Sequence, residues 1–188
     1  MLQALLYPKT IAVIGASRTP GKVGHAILSN LLKAGFQGRI VPVNPSGDEV
    51  LGLRCHKDLS AVEGQLDLSI IVVPTKLVKG AIDESIRAGA KAITVITAGF
   101  KEVGAEGAAL EREIAVLCQE KGVRLLGPNC LGLINTENNM NASFASQMPK
   151  PGIISVISQS GALCTAILDW SAGRGVGLAK LISIGNKA

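Results

Sequence analysis

The sequence predicts an α/β fold in which a parallel sheet carries helices on both faces. Short apolar segments rich in β-branched residues alternate with longer segments whose apolar residues follow helical spacing, and short connections join them. The short segments are apolar throughout rather than in alternation, as expected of parallel strands buried on both faces. The first of them runs directly into a glycine-rich turn and then a helix.

Five short segments rich in Val, Ile and Leu are expected to form this sheet. They are Ile11–Ile14, Arg39–Val43, Leu68–Val73, Ala92–Ile96 and Val123–Leu126. Three helices are expected between them, and they are Lys22–Ala34, Leu77–Ala88 and Glu106–Lys121. A glycine follows each helix (Gly35, Gly89 and Gly122), which is typical of a helix C-terminus.

Two regions are less regular. Between residues 47 and 65 we predict only a short strand at Leu51–Leu53 and a helical turn at Leu59–Val62. The stretch from Asn135 to Pro151 is polar and predicts a loop.

A second unit follows, and its elements are a strand at Ile153–Ile157, a helix at Ala162–Ser171 and a strand at Leu178–Ile184. We therefore expect a first domain at residues 1–128 and a truncated second domain at residues 129–188.

The glycine-rich segment from Ile11 to Gly24 indicates a phosphate site. Three of its residues, Gly15, Gly21 and Gly24, let the backbone approach an anion at the start of a helix, where unpaired N–H groups favour negative charge. The segment is not a Walker A loop, because five residues separate Gly15 from Gly21 and Val23 follows the lysine.

The same segment also departs from the dinucleotide fingerprint. Ser17 replaces the second glycine, and the second strand is followed by Asn44–Ser46 with no acid before Asp48 to bind a ribose hydroxyl. A ribose that carries a phosphate, as in coenzyme A, fits better, with Lys22, Lys33 or Arg39 as the source of positive charge. An NAD-dependent reductase is disfavoured further because the only tyrosine is Tyr7.

Composition narrows the functional classes. The net charge of +5 suits a polyanionic ligand, but Lys and Arg are scattered and aromatic residues make up 3% of the chain, which argues against nucleic acid binding. The four cysteines show no CxxC pair, so neither a metal site nor a disulfide framework is indicated. No apolar run reaches the roughly 18 residues of a membrane span, and we expect a protein of the cytoplasm.

Small and polar residues follow every predicted strand of the first sheet, where ligands of open parallel sheets bind. These turns are Gly15–Gly24, Asn44–Ser46, Pro74–Lys76, Thr97–Gly99 and Gly127–Cys130. Any turn between a strand and a helix favours such residues, so each turn by itself is weak evidence.

Six motifs, in order along nearly the whole chain, resemble the N-terminal part of the ADP-forming acyl-CoA synthetases, relatives of the succinyl-CoA synthetase α subunit. They are GASRTPGKVG, VNP, VVP, ITAGF, GPNCLGLIN and ISQSGAL. The resemblance implies a Rossmann-like CoA-binding domain at residues 1–128 and the start of a flavodoxin-like ligase domain at residues 129–188. It also implies further ligase domains and an ATP-grasp part, on the same chain or on a partner subunit.

The resemblance further implies which residues bind coenzyme A. The CoA phosphates would contact Gly15, Ala16, Ser17, Arg18, Gly21, Lys22 and Val23. The adenosine and pantetheine parts would contact Asn44, Pro45, Ser46, Val73, Pro74, Thr75, Thr97, Ala98 and Gly99. Succinyl-CoA synthetases have Glu at the position of Ala98, so a contact there would be through the backbone only.

The GPNC turn would lie where the pantetheine thiol arrives. Asn129 could hydrogen-bond an acyl phosphate or a thioester carbonyl. Cys130 could be a nucleophile, but no His or Lys is near in sequence to stabilise a thiolate, and a small buried thiol is the favoured interpretation.

The SQSG segment would receive a phosphoryl group. Ser158, Gln159, Ser160 and Gly161 would open a helix whose first N–H groups bind an anion, and the resemblance implies the phosphate of a phosphohistidine. The alternative is an ordinary serine N-cap, worth about 1 kcal/mol to the helix.

The phosphohistidine of the family is expected beyond Ala188. His25 would border the CoA loop and His56 would be a surface residue, so no catalytic residue is expected within the chain. The parent reaction would be that of an acid–thiol ligase, with ADP or ATP and Mg²⁺ bound outside these 188 residues, and the chain alone would be inactive. The alternative is the CoA-sensing scaffold region of a protein lysine acetyltransferase, which looks similar.

Overall fold

The structure is a computed structural model that describes residues 2–47 and 49–188. Asp48, the first acid after the second predicted strand, lies outside the described residues, as does Met1.

A five-stranded parallel sheet forms the first layer. Its strands are β1 (Thr10–Ile14), β2 (Arg39–Val43), β3 (Leu68–Ile71), β4 (Ala92–Val95) and β5 (Arg124–Leu126), in the order β2-β1-β3-β4-β5. The last residue of β1, Ile14, lies beside Val43 of β2 and Ile71 of β3. Because the strands end in register, the loops that follow them meet along one edge, as the apolar segments predict.

Helices cover both faces of this sheet, which confirms the predicted fold class. They are α2 (Val23–Ala34), α3 (Thr75–Arg87) and α4 (Ala105–Glu120). Residues of α2 join a buried cluster with Ile11, Val13 and Ile70, whereas α3 and α4 pack on the opposite side against Ala12, Ile14 and Ile71. The alternation of strand side chains between two faces explains this division.

A short helix precedes the sheet, and the sequence analysis missed it. Helix α1 (Leu2–Leu6) has five residues, too few for a helical pattern to be recognised. Asn135 and Asn138 donate side-chain hydrogen bonds to the Leu6 carbonyl at 2.8 and 3.0 Å, so contacts with a distant part of the chain hold the end of α1.

A second, mixed sheet follows. It contains β6 (Gly132–Asn135), β7 (Met140–Ser143), β8 (Pro151–Ser158) and β9 (Leu178–Ser183), in the order β7-β6-β9-β8, with helix α5 (Gly161–Arg174) between β8 and β9. Strands β8 and β9 pair in parallel, and β6 is antiparallel to both of its neighbours. Leu133, Met140 and Ala142 face the cluster that contains α2.

The predicted loop from Asn135 to Pro151 is wrong in its first part. It contains the end of β6, a turn of 3₁₀ helix at Thr136–Asn138 and the whole of β7. The polar side chains of these strands are buried because they find hydrogen bonds: Ser143 donates to Asn141 at 2.6 Å, and Asn141 donates to the Gln147 carbonyl at 3.4 Å. An apolar pattern therefore could not reveal them.

The region between residues 47 and 65 is also simpler than predicted. The expected strand at Leu51–Leu53 is a single bridge between Val50 and Leu53, and the expected helical turn is a 3₁₀ turn at Leu59–Ala61. Within the described residues, no helix combines the length and apolarity needed to cross a lipid bilayer.

Candidate functional site

The glycine-rich loop lies between the end of β1 and the start of α2. Gly21 has φ +86°, a conformation that favours glycine, and no atom lies within 4 Å of where a Cβ would stand. By contrast, a Cβ on Gly24 would overlap the Gly15 carbonyl, so Gly24 allows the helix to start against the strand. Lys22 is the N-cap residue of α2 and makes no side-chain capping bond, which leaves the first N–H groups of the helix open to a ligand.

Hydrogen bonds shape the loops after β1 and β2. The Asn44 side chain donates to the Ala16 carbonyl at 2.7 Å and accepts from the Ser46 N–H at 2.9 Å. The Ser17 hydroxyl accepts from the Thr19 N–H at 3.1 Å. Asn44 therefore holds the two turns side by side at the carboxyl edge of the sheet.

The loops after β3 and β4 are cross-linked in the same way. The Thr97 hydroxyl donates to the Val73 carbonyl, and the Thr75 hydroxyl donates to the Ala98 carbonyl, both at 2.7 Å. Gly99 lies against the Thr75 side chain. The two loops thus form one wall, in which Ala98 is exposed and Thr97 is half-buried.

The GPNC turn follows β5. The Asn129 N–H donates to the Thr97 carbonyl at 3.0 Å, which attaches this turn to the wall formed by the β3 and β4 loops. The Cys130 side chain is 4% exposed and donates to the Val95 carbonyl at 3.3 Å. Burial raises the pKa of the Cys130 thiol to about 12, which opposes formation of the thiolate that a nucleophile would need.

The SQSG segment lies at the end of β8 and at the start of α5. The Ser160 hydroxyl accepts from the Leu163 N–H at 3.2 Å and is the N-cap of the helix, while the Ser160 N–H donates to the Ser158 hydroxyl at 3.1 Å. The capping role is therefore real. It uses the N–H of Leu163, the third residue of α5, and leaves the N–H groups of Gly161 and Ala162 available for an anion.

A cavity of about 800 Å³ lies between these loops and the start of α5. Ten of the residues predicted from the sequence line it. They are Val23, Val73, Pro74, Thr97, Ala98, Asn129, Cys130, Gln159, Ser160 and Gly161. The cavity thus brings together the first-sheet edge and the SQSG segment, which are far apart along the chain.

The other predicted residues do not line this cavity, but they belong to the same edge or to elements beside it. They are Gly15, Ala16, Ser17, Arg18, Gly21, Lys22, Asn44, Pro45, Ser46, Thr75, Gly99 and Ser158. Most of them belong to the loops after β1 and β2, and Val23, which follows the loop after β1, lines the cavity.

Two of the three cations suggested for a ribose phosphate lie elsewhere. Lys33 is in the last turn of α2, and Arg39 is the first residue of β2, so both are at the opposite end of their elements from the glycine loop. The Arg39 guanidinium donates to the Glu63 carbonyl. Of the three, only Lys22 is placed beside the loop.

The histidines occupy different environments. A ring nitrogen of His25 is 3.1 Å from the Ser17 carbonyl, so His25 borders the glycine loop as expected. His56 is half-buried and its backbone pairs with β2 beside Val43, rather than lying freely on the surface. Within residues 2–47 and 49–188, no three His, Cys, Asp or Glu side chains come together to hold a metal ion.

Sequence reasoning missed several residues of the cavity. Apolar side chains complete its walls, and the aromatic ring of Phe144 and the side chain of Thr165 also contribute. Asn186, in the turn after β9, contacts Asn129 through its side chain at 3.3 Å. The rule that polar residues after a parallel strand belong to the ligand edge could have singled out Asn186.

Comparison with known proteins gives two matching family models. The model described as a CoA binding domain matches residues 9–136. The model described as a succinyl-CoA ligase like flavodoxin domain matches residues 151–188.

Curated relatives align over the whole chain. An acetate–CoA ligase (ADP-forming) I from Archaeoglobus fulgidus is 49% identical over 100% of this chain and 27% of its own length. The α subunit of acetate–CoA ligase (ADP-forming) I from Pyrococcus furiosus is 39% identical over 100% of this chain and 41% of its own length. The chain therefore spans about a quarter to two fifths of these relatives.

A solved structure also aligns with the whole chain. The dinucleotide-forming acetyl-coenzyme A synthetase 1 of Candidatus Korarchaeum cryptofilum, in complex with phosphate and ADP, has a TM-score of 0.95 and 41% sequence identity. The match covers 100% of this chain and 40% of that protein.

Proposed function

This chain belongs to the CoA-binding domain family, and on that premise we propose that it is the CoA-binding part of an ADP-forming acyl-CoA synthetase of the acetate–CoA ligase type. The whole enzyme would interconvert acyl-CoA, ADP and phosphate with carboxylic acid, ATP and CoA. The chain supplies the binding surfaces, and the remaining ligase domains supply the rest of the reaction.

One observation supports this proposal: a single cavity is lined both by the turn that would receive the thioester and by the segment that would bind the phosphate. Asn129 and Cys130 line the cavity at the carboxyl edge of the parallel sheet. Gln159–Gly161 line it at the start of α5. A thioester carbon and a phosphate could therefore meet in a space of about 800 Å³.

Coenzyme A would lie along the edge of the first sheet. Its phosphates would bind the main-chain N–H groups of the loop from Gly15 to Val23, with Lys22 adding positive charge, because the start of α2 has no capping side chain to compete. The adenosine and pantetheine parts would follow the turns at Asn44–Ser46, Val73–Thr75 and Thr97–Gly99. The thiol would then reach the GPNC turn.

The start of α5 would hold the phosphoryl group in transit. Ser158–Gly161 present hydroxyls and helix N–H groups, which stabilise negative charge without a basic side chain. A histidine outside this chain would carry the phosphoryl group to ADP. ADP or ATP with Mg²⁺ would bind to an ATP-grasp part, in the same polypeptide or in a partner subunit.

We propose a CoA-binding domain at residues 1–128 and the start of a flavodoxin-like domain at residues 129–188, because the GPNC turn connects the last strand of the first sheet to the first strand of the second sheet. We also propose a cytoplasmic location, which the buried thiols of Cys118, Cys130 and Cys164 favour. The acetyltransferase alternative is not carried forward, since the curated relatives described above are acetate–CoA ligases.

Calorimetry of the chain with CoA, dephospho-CoA and NAD tests the proposal. We expect CoA to bind, dephospho-CoA to bind more weakly because it lacks the ribose phosphate, and NAD not to bind. Equal affinity for NAD and CoA, or no affinity for CoA, would reject it.

A further inference from the structure

Asn186 occupies a central place beside the cavity, although the motifs did not single it out. Its side chain is 7% exposed. The amide nitrogen donates to Glu102 Oε2 at 2.6 Å and to Glu111 Oε2 at 2.8 Å. The amide oxygen accepts from Asn129 Nδ2 at 3.3 Å. One side chain thus connects two carboxylates to the GPNC turn.

The chemistry of these groups fixes the direction of every bond. An ionised carboxylate only accepts hydrogen bonds, so Asn186 must turn its nitrogen towards Glu102 and Glu111. Its oxygen is then left to face the GPNC turn. Because that oxygen only accepts, Asn129 must present its nitrogen rather than its oxygen. Glu102 and Glu111 therefore determine the orientation of the Asn129 side-chain amide, although neither carboxylate hydrogen-bonds to it.

The two carboxylates are themselves held firmly. Glu102 Oε1 accepts from the Gly99 N–H at 2.6 Å and the Phe100 N–H at 3.2 Å. Burial raises the pKa of Glu102, but the bonds from Asn186 and from the Gly99 N–H outweigh this effect and the pKa lies below its usual value. Glu111 is buried and pairs with the Lys101 ammonium at 3.0 Å.

The backbone of the turn after β9 is fixed as well. The Asn186 N–H donates to the Pro128 carbonyl at 2.9 Å, and the Lys101 ammonium donates to the Asn186 carbonyl. A Cβ on Gly185 would overlap the Pro128 carbonyl, so this turn packs directly on the GPNC turn. Asn186 cannot easily move away from Asn129.

We propose that Asn186, oriented by Glu102 and Glu111, is a positioning residue that sets the side-chain amide of Asn129 so that its second N–H serves a carbonyl or phosphoryl oxygen in the cavity. An amide nitrogen carries two hydrogens, and the bond to Asn186 uses one of them. Since Asn129 lines the cavity, the second hydrogen on its amide nitrogen is the one that can be donated to an acyl oxygen. This inference rests on the proposed function.

Substitutions that exchange amide and carboxylate side chains among Asn186, Glu102 and Glu111 test the inference on the 188-residue chain. Asn186→Asp keeps an oxygen for Asn129 but places a third carboxylate against Glu102 and Glu111, and the repulsion displaces residue 186. Glu102→Gln places an amide nitrogen against that of Asn186. The double variant N186D/E102Q restores the pairing with residue 102, because the introduced glutamine can accept from the Gly99 N–H with its oxygen and donate to the introduced aspartate with its nitrogen. The introduced aspartate still faces Glu111, so the restoration is partial. The matched control is N186D/E111Q, in which the nitrogen of the introduced glutamine would face the Lys101 N–H.

The readout is the ratio of affinities for acetyl-CoA and CoA, because only the former offers an acyl oxygen to Asn129. We expect each single variant, and Asn129→Ala, to lower this ratio about threefold to tenfold. We expect N186D/E102Q to recover it in part and N186D/E111Q not to do so. A structural role alone would change both affinities together and leave the ratio constant.

Several outcomes would overturn the inference. A ratio that is unchanged in Asn186→Ala, which removes the acceptor for Asn129, would do so. So would a ratio in N186D/E102Q that is no higher than in Asn186→Asp, although thermal unfolding shows a folded protein. If Asn186→Asp does not fold, Asn186→Ala decides, because it removes the acceptor without adding charge and must also lower the ratio. Failure of the unmodified chain to bind CoA would instead reject the proposed function, and this inference with it.

Discussion

The side-chain amide of Asn30 donates a hydrogen bond to the backbone carbonyl of Ser143 at 2.9 Å, and so joins α2 to the end of β7. The same amide also donates to the Ala145 carbonyl at 2.8 Å. Between these two carbonyls stands Phe144, which lines the cavity. A residue on the helix that begins at the glycine loop thus holds the segment that carries Phe144.

Asn30→Ala is expected to lower the free energy of unfolding by about 1–3 kcal/mol, because two carbonyl groups lose their side-chain donor. Urea denaturation followed by circular dichroism measures this change. Lys33→Ala is the matched control, since Lys33 is exposed on the same helix, and its effect should stay within about 0.5 kcal/mol. Equal effects of the two substitutions would show that the Asn30 bonds contribute nothing.

Gly21→Val is expected to abolish CoA binding, because a β-branched side chain would occupy the open space that we assign to the phosphates. Calorimetry with CoA measures the loss.

The matched control for Gly21 is Gly35→Val, at the other end of the same helix. Gly35 has φ +76° and also has no atom within 4 Å of an added Cβ, so the backbone penalty is similar and only the location differs. Loss of binding in both variants would mean that strain, and not occupation of an anion site, is responsible.

Substitutions of Ser160 separate helix capping from phosphate binding. Asp caps helices about as well as Ser, so Ser160→Asp should leave stability nearly unchanged while its negative charge repels an anion. Ser160→Ala should cost about 1 kcal/mol of stability and leave more of the anion affinity. Thermal unfolding and a titration with inorganic phosphate measure the two effects. Phosphate affinity that survives in Ser160→Asp would place the phosphoryl group elsewhere.

Cys130 should make the stability depend on pH at alkaline values. Burial raises the pKa of its thiol to about 12 in the folded chain, whereas an unfolded cysteine titrates near about 8.5. Between these values the unfolded state has lost the proton and the folded state has kept it. Stability is therefore complete below the unfolded pKa and falls as the pH rises towards the folded pKa, by up to about 1.4 kcal/mol per pH unit.

Urea denaturation between about pH 8 and about pH 10.5 measures this slope, and Cys130→Ala should flatten it relative to the unmodified chain. The same variant should retain CoA binding, since a protonated, buried thiol has no chemical role in our proposal. A steep drop in CoA affinity without unfolding would contradict that assignment.

The first sheet could be predicted almost completely from the sequence. Its strands are buried on both faces and therefore carry unbroken apolar runs, such as Ile11–Ile14. Strand β7 could not be predicted in this way, because its buried residues Asn141 and Ser143 satisfy their polar groups with partners that only the folded chain supplies.

The local sequence determined which loops lie at the carboxyl edge of the first sheet, because strand direction and turn chemistry depend on neighbouring residues. Only the tertiary structure decided that the SQSG segment faces that edge, that Phe144 closes the cavity, and that Asn186 contacts Asn129 from 57 residues away. Such contacts depend on how two sheets and α2 pack, and packing depends on the volume and hydrogen bonding of many distant side chains at once. No pattern within a single segment contains that information.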